Sequence, residues 1–413
     1  MKNSTKLLKP ACYMGNITMA IVSTLSPILF LTFHDTYHIS YSLLGALVLV
    51  NFITQLSIDL IFSFFSHKFN ISLTVKLMPI ISILGFAIYG LTPLILPNNI
   101  FWGLCIGTVI FSASSGLGEV LLSPIIAALP ADDPDREMSK LHSVFAWGVV
   151  GVAVICTLFL FTFGSENWQF LSLILSIVPL LCFIFFSVSD IPKIDTPKKA
   201  SGALHLLKNK GVWLCITAIF LGGASECIME QWASSYLENA LSIPKLWGDI
   251  FGVALFAAML GFGRTLYSKI GKNIEKVLFM CAVGTAVCYA VAALSPIPVL
   301  GLIACSLAGL TTSMLWPGTL IVASDRYPKG GVFIFAMMAA GGDLGASVGP
   351  QLVGIVTDFF STNSSVIQYA TKLGQTPDSI AMKIGMLVAL LFPLISIPVY
   401  YKNMKTRADS STK

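Results

Sequence analysis

The sequence predicts an all-α integral membrane protein: twelve transmembrane helices in two six-helix bundles with a pseudo-two-fold relation. Three observations carry that prediction. The first is composition: of 413 residues, 55% are hydrophobic and 11% charged, less than half the roughly 25% charge of an average soluble domain. So few charges cannot cover a water-exposed surface, and the abundance of Phe, Leu, Ile and Val excludes a disordered chain. The second is a series of apolar runs close to the roughly 20 residues that span about 30 Å of hydrocarbon. The third is the distribution of Lys and Arg between alternate connections.

The runs lie at 11–33, 42–65, 74–96, 100–128, 140–164 and 168–188 in the first half of the chain. In the second they lie at 211–236, 247–268, 275–295, 298–323, 331–357 and 380–401. Backbone groups in lipid must pair within their own segment, so each run is a helix. The run 171–186 shows none of the alternation of a barrel strand. The first span is read as retained, because no small-residue cleavage site precedes it.

With the N-terminus cytoplasmic, 22 of the 25 basic residues fall on the inner side, and only Lys245, Lys372 and Lys383 fall outside. One missed helix would scramble that bias, so it supports the span count as well as the orientation. It also explains the net charge of +5 without a nucleic-acid partner. The nine cysteines fall in or beside spans and lack metal-type spacing. They read as small packing residues.

The connection 190–210 holds Pro192, Pro197 and a Lys pair, a linker composition. It divides the chain into bundles 1–189 and 211–413. A shift of 193 residues superposes Pro124 on Pro317, Asp132 on Asp325 and Gly148 on Gly341, as expected of a duplicated transporter with its site near the midplane.

Ionisable groups inside spans are expensive, so they mark function. Span 2 carries Asn51, Gln55, Asp59 and Ser63 at steps of four, and span 4 carries Ser112, Ser115, Gly116 and Glu119 on roughly one face. Span 7 carries Glu226, Glu230 and Ser234. His142 opens span 5, Asp343 lies among glycines in span 11, and Asn16 is the strongest polar group of span 1. Stripes on several helices imply a shared polar cavity. Glu119, near mid-depth, is the leading candidate to gain and lose a proton as that cavity alternates between sides. Trp147, Trp232 and Trp316 lie beside the stripes, where an aromatic plate suits the apolar face of a sugar. Trp102, Trp168, Trp213 and Trp247 lie near span ends and read as interfacial belt residues.

The whole chain resembles the major facilitator superfamily and, more narrowly, its fucose-permease group of sugar:proton symporters. Three stretches carry the likeness: Gly118-Glu119 with Ser123-Pro124 and Leu141-His142-Ser143; Gly223-Ala224-Ser225-Glu226 with Trp232 and Tyr236; and Trp316-Pro317 with Gly349-Pro350. The resemblance implies that Glu119 is the membrane carboxyl of proton coupling, and that Glu226 and Trp232 face the cavity. The chain departs from the group at span 1, which has Asn16 and no acid, and at Ser123, where the group has Asn. It departs again at Ser66-His67-Lys68, where the superfamily has Asp-Arg. The copy of that motif at Gly263-Arg264 to Lys269-Ile270-Gly271 is better kept.

The resulting expectation is a monomeric plasma-membrane transporter with cytoplasmic termini. It moves a small polar solute, a monosaccharide, with a proton by alternating access, and an efflux antiporter of the same fold is the alternative. Glu119 and Asp59 serve proton coupling. Glu226, Asn51, Gln55, Asn16, Trp232, His142, Trp316 and Asp343 serve substrate, and Arg264 and Glu230 serve gating. No cofactor is expected, and no G-x-x-x-x-G-K-[ST] motif for ATP is present. The absence of H-E-x-x-H argues against an intramembrane enzyme.

Overall fold

A computed structural model describes residues 7–65, 68–130, 134–192, 208–270, 273–327 and 331–411. Among the described residues there are helices and no strands. Eleven helical segments are long and apolar enough to cross a membrane. The remaining expected span, 331–357, is one continuous helix over Gly331–Ser361.

The chain packs as two units. One comprises residues 1–39 and 50–200, the other 40–49 and 201–413. The first contains α1 (Leu8–Ile28), α2 (Phe30–Tyr37) and most of α3 (Tyr41–Phe65). It also contains α4 (Ile71–Ile95), α5 (Ile100–Ala127), α6 (Pro134–Phe163), α7 (Trp168–Leu175) and α8 (Ile177–Ser187). The second holds the first residues of α3 with α9 (Lys210–Leu241), α10 (Lys245–Asp249), a π-helical turn (Ile250–Ala254) and α11 (Leu255–Ile270). It continues through α12 (Ile274–Leu294), α13 (Pro298–Thr312), α14 (Leu315–Arg326), α15 (Gly331–Ser361), α16 (Ser364–Leu373), α17 (Pro377–Ala389) and α18 (Leu391–Ser411).

Several expected spans are interrupted, with local causes. Span 1 is broken at Leu29 into α1 and α2. Pro317, in the first turn of α14, follows the break at Ser313 and Met314. Proline lacks the N–H that would continue the ladder, and π-bulges likewise bend helices. The short α16 was not expected. Its ten residues are too few to cross, Asn363 caps its start, and it buries Val366 and Ala370 while exposing Tyr369 and Leu373.

Close helix contacts rest on small residues and buried hydroxyls, as membrane packing requires. In the first unit a Cβ at Gly85 would lie 2.6 Å from the Phe111 nitrogen, where α4 meets α5. Beside it Ser82 donates to Ser114 (2.7 Å), which donates to the Met78 carbonyl (2.7 Å). Leu8, Val75, Leu121, Ile125 and Phe186 fill the core between α1, α4, α5 and α8. Trp168 is fully buried, donates to the Tyr37 hydroxyl (3.2 Å), and meets Phe33 and Tyr89 edge-on. That corrects its reading as a belt residue. Its neighbours supply a polar partner inside the unit, so the indole does not need the interface. Trp102, Trp213 and Trp247 are exposed.

The repeat has a packing counterpart in each unit. Gly148 of α6 lies against Ala20 of α1, and Gly341 of α15 lies against Ile216 and Ile219 of α9. Asp132 lies outside the described residues.

The start of α3 is held by the second unit. Asp358 of α15 accepts from the Tyr41 and Ser42 amides at 2.8 and 2.7 Å, a carboxylate at a helix N-terminus where orphan donors and dipole both favour it. Asn239 donates to the Tyr41 hydroxyl (2.8 Å), and Gln351 donates to the Ser42 carbonyl (3.1 Å). Replacing such a cap typically costs about 0.5–2 kcal/mol. Asp358→Ala should therefore lower the melting temperature of detergent-solubilised protein, and Asp358→Asn should lower it less. Equal melting of Asp358→Ala and wild type would show that the cap contributes nothing.

Candidate functional site

In the first unit, the polar stripes of α3 and α5 bond to each other, a helix–helix contact where the spacing implied a shared cavity. Ser112 donates to Asn51 Oδ1 at 2.6 Å, Gln55 donates to the same oxygen at 2.9 Å, and Ser115 donates to Gln55 Oε1 at 3.0 Å. Gly116 lets α5 approach α3 closely: a Cβ there would lie 3.1 Å from the Gln55 carbonyl and 3.0 Å from Ile58 Cβ. Four residues on from Gln55 and from Ser115 come Asp59 and Glu119. Asp59 is half-buried and Glu119 is exposed. Glu119 is thus an exposed carboxyl within the apolar helix Ile100–Ile126, where an ionisable group is costly and rare. Asn16 is buried and donates to the Leu141 carbonyl at 2.6 Å, so here it ties α1 to α6. The side chain of His142 lies outside the described set.

In the second unit, Arg264 of α11 is the centre. Its Nη2 donates to Glu226 Oε1 at 3.0 Å, and its Nε donates to the Ser313 carbonyl at 3.1 Å. The break between α13 and α14 explains the second contact, because Ser313 sits where the helical ladder is interrupted. An unwound carbonyl at membrane depth is tolerated where it lines a cavity or finds a partner. Glu226 is 8% exposed, whereas the Arg264 side chain is 40% exposed, so the guanidinium is the accessible half of the pair. Glu226 Oε2 is buried and receives no hydrogen bond among the described residues. Glu226, Glu230, Asp343 and Arg264 all lie within electrostatic range of Cys227. Trp316 packs over Gly223 and Gly342, where a Cβ would lie 2.9 and 2.5 Å from its ring. Those two glycines therefore make room for the indole.

The residues the sequence singled out thus gather in two places. Asn51, Gln55, Asp59 and Glu119 line the α3–α5 face. Glu226, Arg264 and Trp316 sit around the break in α13–α14, with Glu230 and Asp343 within electrostatic range of the adjacent Cys227. Trp232 belongs to neither as an open plate. It is 1% exposed, donates to the Pro350 carbonyl at 3.0 Å and packs against Tyr41. Trp147 is 70% exposed, on a different face of the first unit. The sequence reading passed over Asp249, fully buried just before the π-helical turn, where it accepts from Ser234 and lies 3.5 Å from Lys245. The search for acids inside spans extends to it, since it falls in 247–268. Asp358 lies one residue beyond its expected span, and no local signal ties it to α3.

Residues 12–350 match the sequence profile of the Major Facilitator Superfamily. No curated protein sequence matches the chain. Among solved structures it is similar to a bacterial homologue of the human lysosomal transporter Spinster in an inward-facing, occupied conformation. That match has 14% identity and a TM-score of 0.73 over 98% of each chain. It is similar to a nucleoside transporter, at 14% identity and a TM-score of 0.74 over 97% of this chain and 100% of that one. It is also similar to the fucose:proton symporter of E. coli, at 14% identity and a TM-score of 0.58 over 95% and 99%. With a family match over most of its length and an all-helical, membrane-spanning fold, the chain belongs to the Major Facilitator Superfamily and is a multi-pass membrane transporter, not an enzyme.

Proposed function

We propose that the protein imports a small polar solute, a monosaccharide, together with a proton, by alternating access. It would act in the plasma membrane as a monomer with both termini cytoplasmic. The observation that supports this most is Glu119. It is an exposed carboxyl inside an apolar helix, one turn beyond a set of amides and hydroxyls already bonded to one another. Such a face offers hydrogen-bond partners to a hydroxylated solute and a titrating group beside them. Across the sequence, Arg264 with Glu226 offers a second polar anchor, and Trp316 an aromatic surface. Asp59 is the second proton candidate. Asn16, Trp232, His142 and Asp343 complete the proposed substrate set, and Glu230 with Arg264 the gate. The fucose and xylose symporters among the structural neighbours are named for sugar–proton cotransport, which agrees with this reading.

The test is vesicle transport with a pH-sensitive dye. Adding the correct sugar to the outside should alkalinise the external medium. Solute-stimulated proton movement in the opposite direction would replace import with efflux, and the absence of any proton movement would remove coupling.

A further inference from the structure

The short helix α16 has no part in the transport reading. It lies between two long apolar segments: α15 ends at Ser361, just before the cap Asn363, and the segment Pro377–Lys405 begins just after the C-cap Gly374. A helix of ten residues is marginal in water by itself, so its apolar side must be covered. At about 100° per residue, Val366, Ala370, Ile367, Tyr369 and Leu373 fall on one arc of about 160°. Ser364, Ser365, Gln368, Thr371 and Lys372 occupy the opposite side, and all five are exposed. The protein covers only the middle of the apolar arc. Val366 and Ala370 pack with Phe360 of α15 and with Ile380 and Ile384 of α17. On one flank Tyr369 is 55% and Leu373 50% exposed, and on the other Ile367 is 40% exposed. An apolar arc wider than its protein contact calls for a second apolar medium.

The depth at which α16 packs identifies that medium. Ile380 and Ile384 lie about 4 and 10 Å along α17 from Pro377. Half-buried Lys383 stands between them in sequence, a level from which a basic side chain still reaches the headgroups. Phe359, in the last turn of α15, is exposed as well. So α16 rests against the ends of two spans, within the roughly 5–10 Å that interfacial helices sink into the headgroup–acyl boundary. It carries one Lys and no acid, which leaves apolar area rather than charge to hold it there. Tyr suits such a site, because its ring is apolar and its hydroxyl stays wet. We propose that α16 is an interfacial membrane helix, lying at the boundary of headgroups and acyl chains with Tyr369 and Leu373 in the lipid and Ser365 and Gln368 toward water.

Because these positions are exposed, a nitroxide label there displaces no packing. The full chain carrying Tyr369→Cys, Leu373→Cys, Ser365→Cys or Gln368→Cys is labelled and reconstituted in phosphatidylcholine vesicles. Wild type taken through the same labelling sets the background from the native cysteines, of which Cys281 alone is not buried. Collision with oxygen, which concentrates in hydrocarbon, is compared with collision with a nickel chelate, which stays in water. The oxygen-to-nickel ratio at 369 and 373 should exceed that at 365 and 368 at least about 5-fold. Equal ratios on both sides would place the helix in water. Labels at 369 and 373 shielded from both agents would place a protein neighbour there, and either result overturns the proposal. Ile367→Cys, on the other flank, should match 369 and 373, and it carries the test if one of those variants unfolds in a melting control. No solute is present, so the import reading stands or falls separately.

Discussion

Glu119→Gln should abolish proton-driven accumulation while leaving exchange of solute across the membrane intact. Gln keeps the size of the side chain and its capacity to accept and donate hydrogen bonds, but it cannot release a proton. The substitution falls on an exposed position of α5, while the close contacts of that helix are made by its neighbours. Gly116 meets Gln55 and Ile58, Gly118 meets Met19, and Ser112 and Ser115 bond to α3. The fold and the amide–hydroxyl set should therefore survive. Accumulation ratios measured with an imposed proton gradient should fall to about 1, and counterflow rates should stay near wild type. The initial rate should also lose its dependence on external pH. Full accumulation by the variant would remove Glu119 from coupling and leave Asp59→Asn as the next variant to measure.

Arg264→Ala should give the largest loss of stability. Glu226 is nearly buried, and one of its oxygens relies on Arg264 while the other receives no hydrogen bond among the described residues. Glu230 and Asp343, both acids, share its neighbourhood. Removing the guanidinium leaves a negative charge inside the bundle. Breaking one side of a buried pair costs about 3–5 kcal/mol, and the partial exposure of Arg264 argues for the lower end of that range. The Ser313 carbonyl loses its side-chain partner in the same step. The double variant Arg264→Ala with Glu226→Gln should recover much of the loss, because the remaining amide carries no charge. Melting of wild type, single and double variants under one detergent condition measures this. A single variant as stable as wild type would mean that water or a proton already neutralises Glu226.

The polar faces of α3 and α5 were readable from spacing alone; their pairing was not. Steps of four put Asn51, Gln55 and Asp59 on one helix face, and Ser112, Ser115 and Glu119 occupy matching turns of another. Periodicity says which residues share a face, but not which face meets which. Trp168 shows the limit: its position near a span end matched an interfacial residue, yet the rings of Phe33 and Tyr89 and the Tyr37 hydroxyl, all distant in sequence, bury it. Trp232 shows the same limit, since its partner is the Pro350 carbonyl, 118 residues away.

What the sequence determined by itself is the class of environment. Charge scarcity, span length and the side preference of Lys and Arg follow from transfer free energies that act residue by residue, so they can be summed along the chain. What only tertiary structure decided is pairing. Arg264 joins Glu226 and an interrupted backbone at Ser313. Asp358 closes the start of a helix more than 300 residues before it. Each depends on helices far apart in sequence arriving at one depth and rotation. That outcome is set by packing among many side chains at once, and no local pattern encodes it.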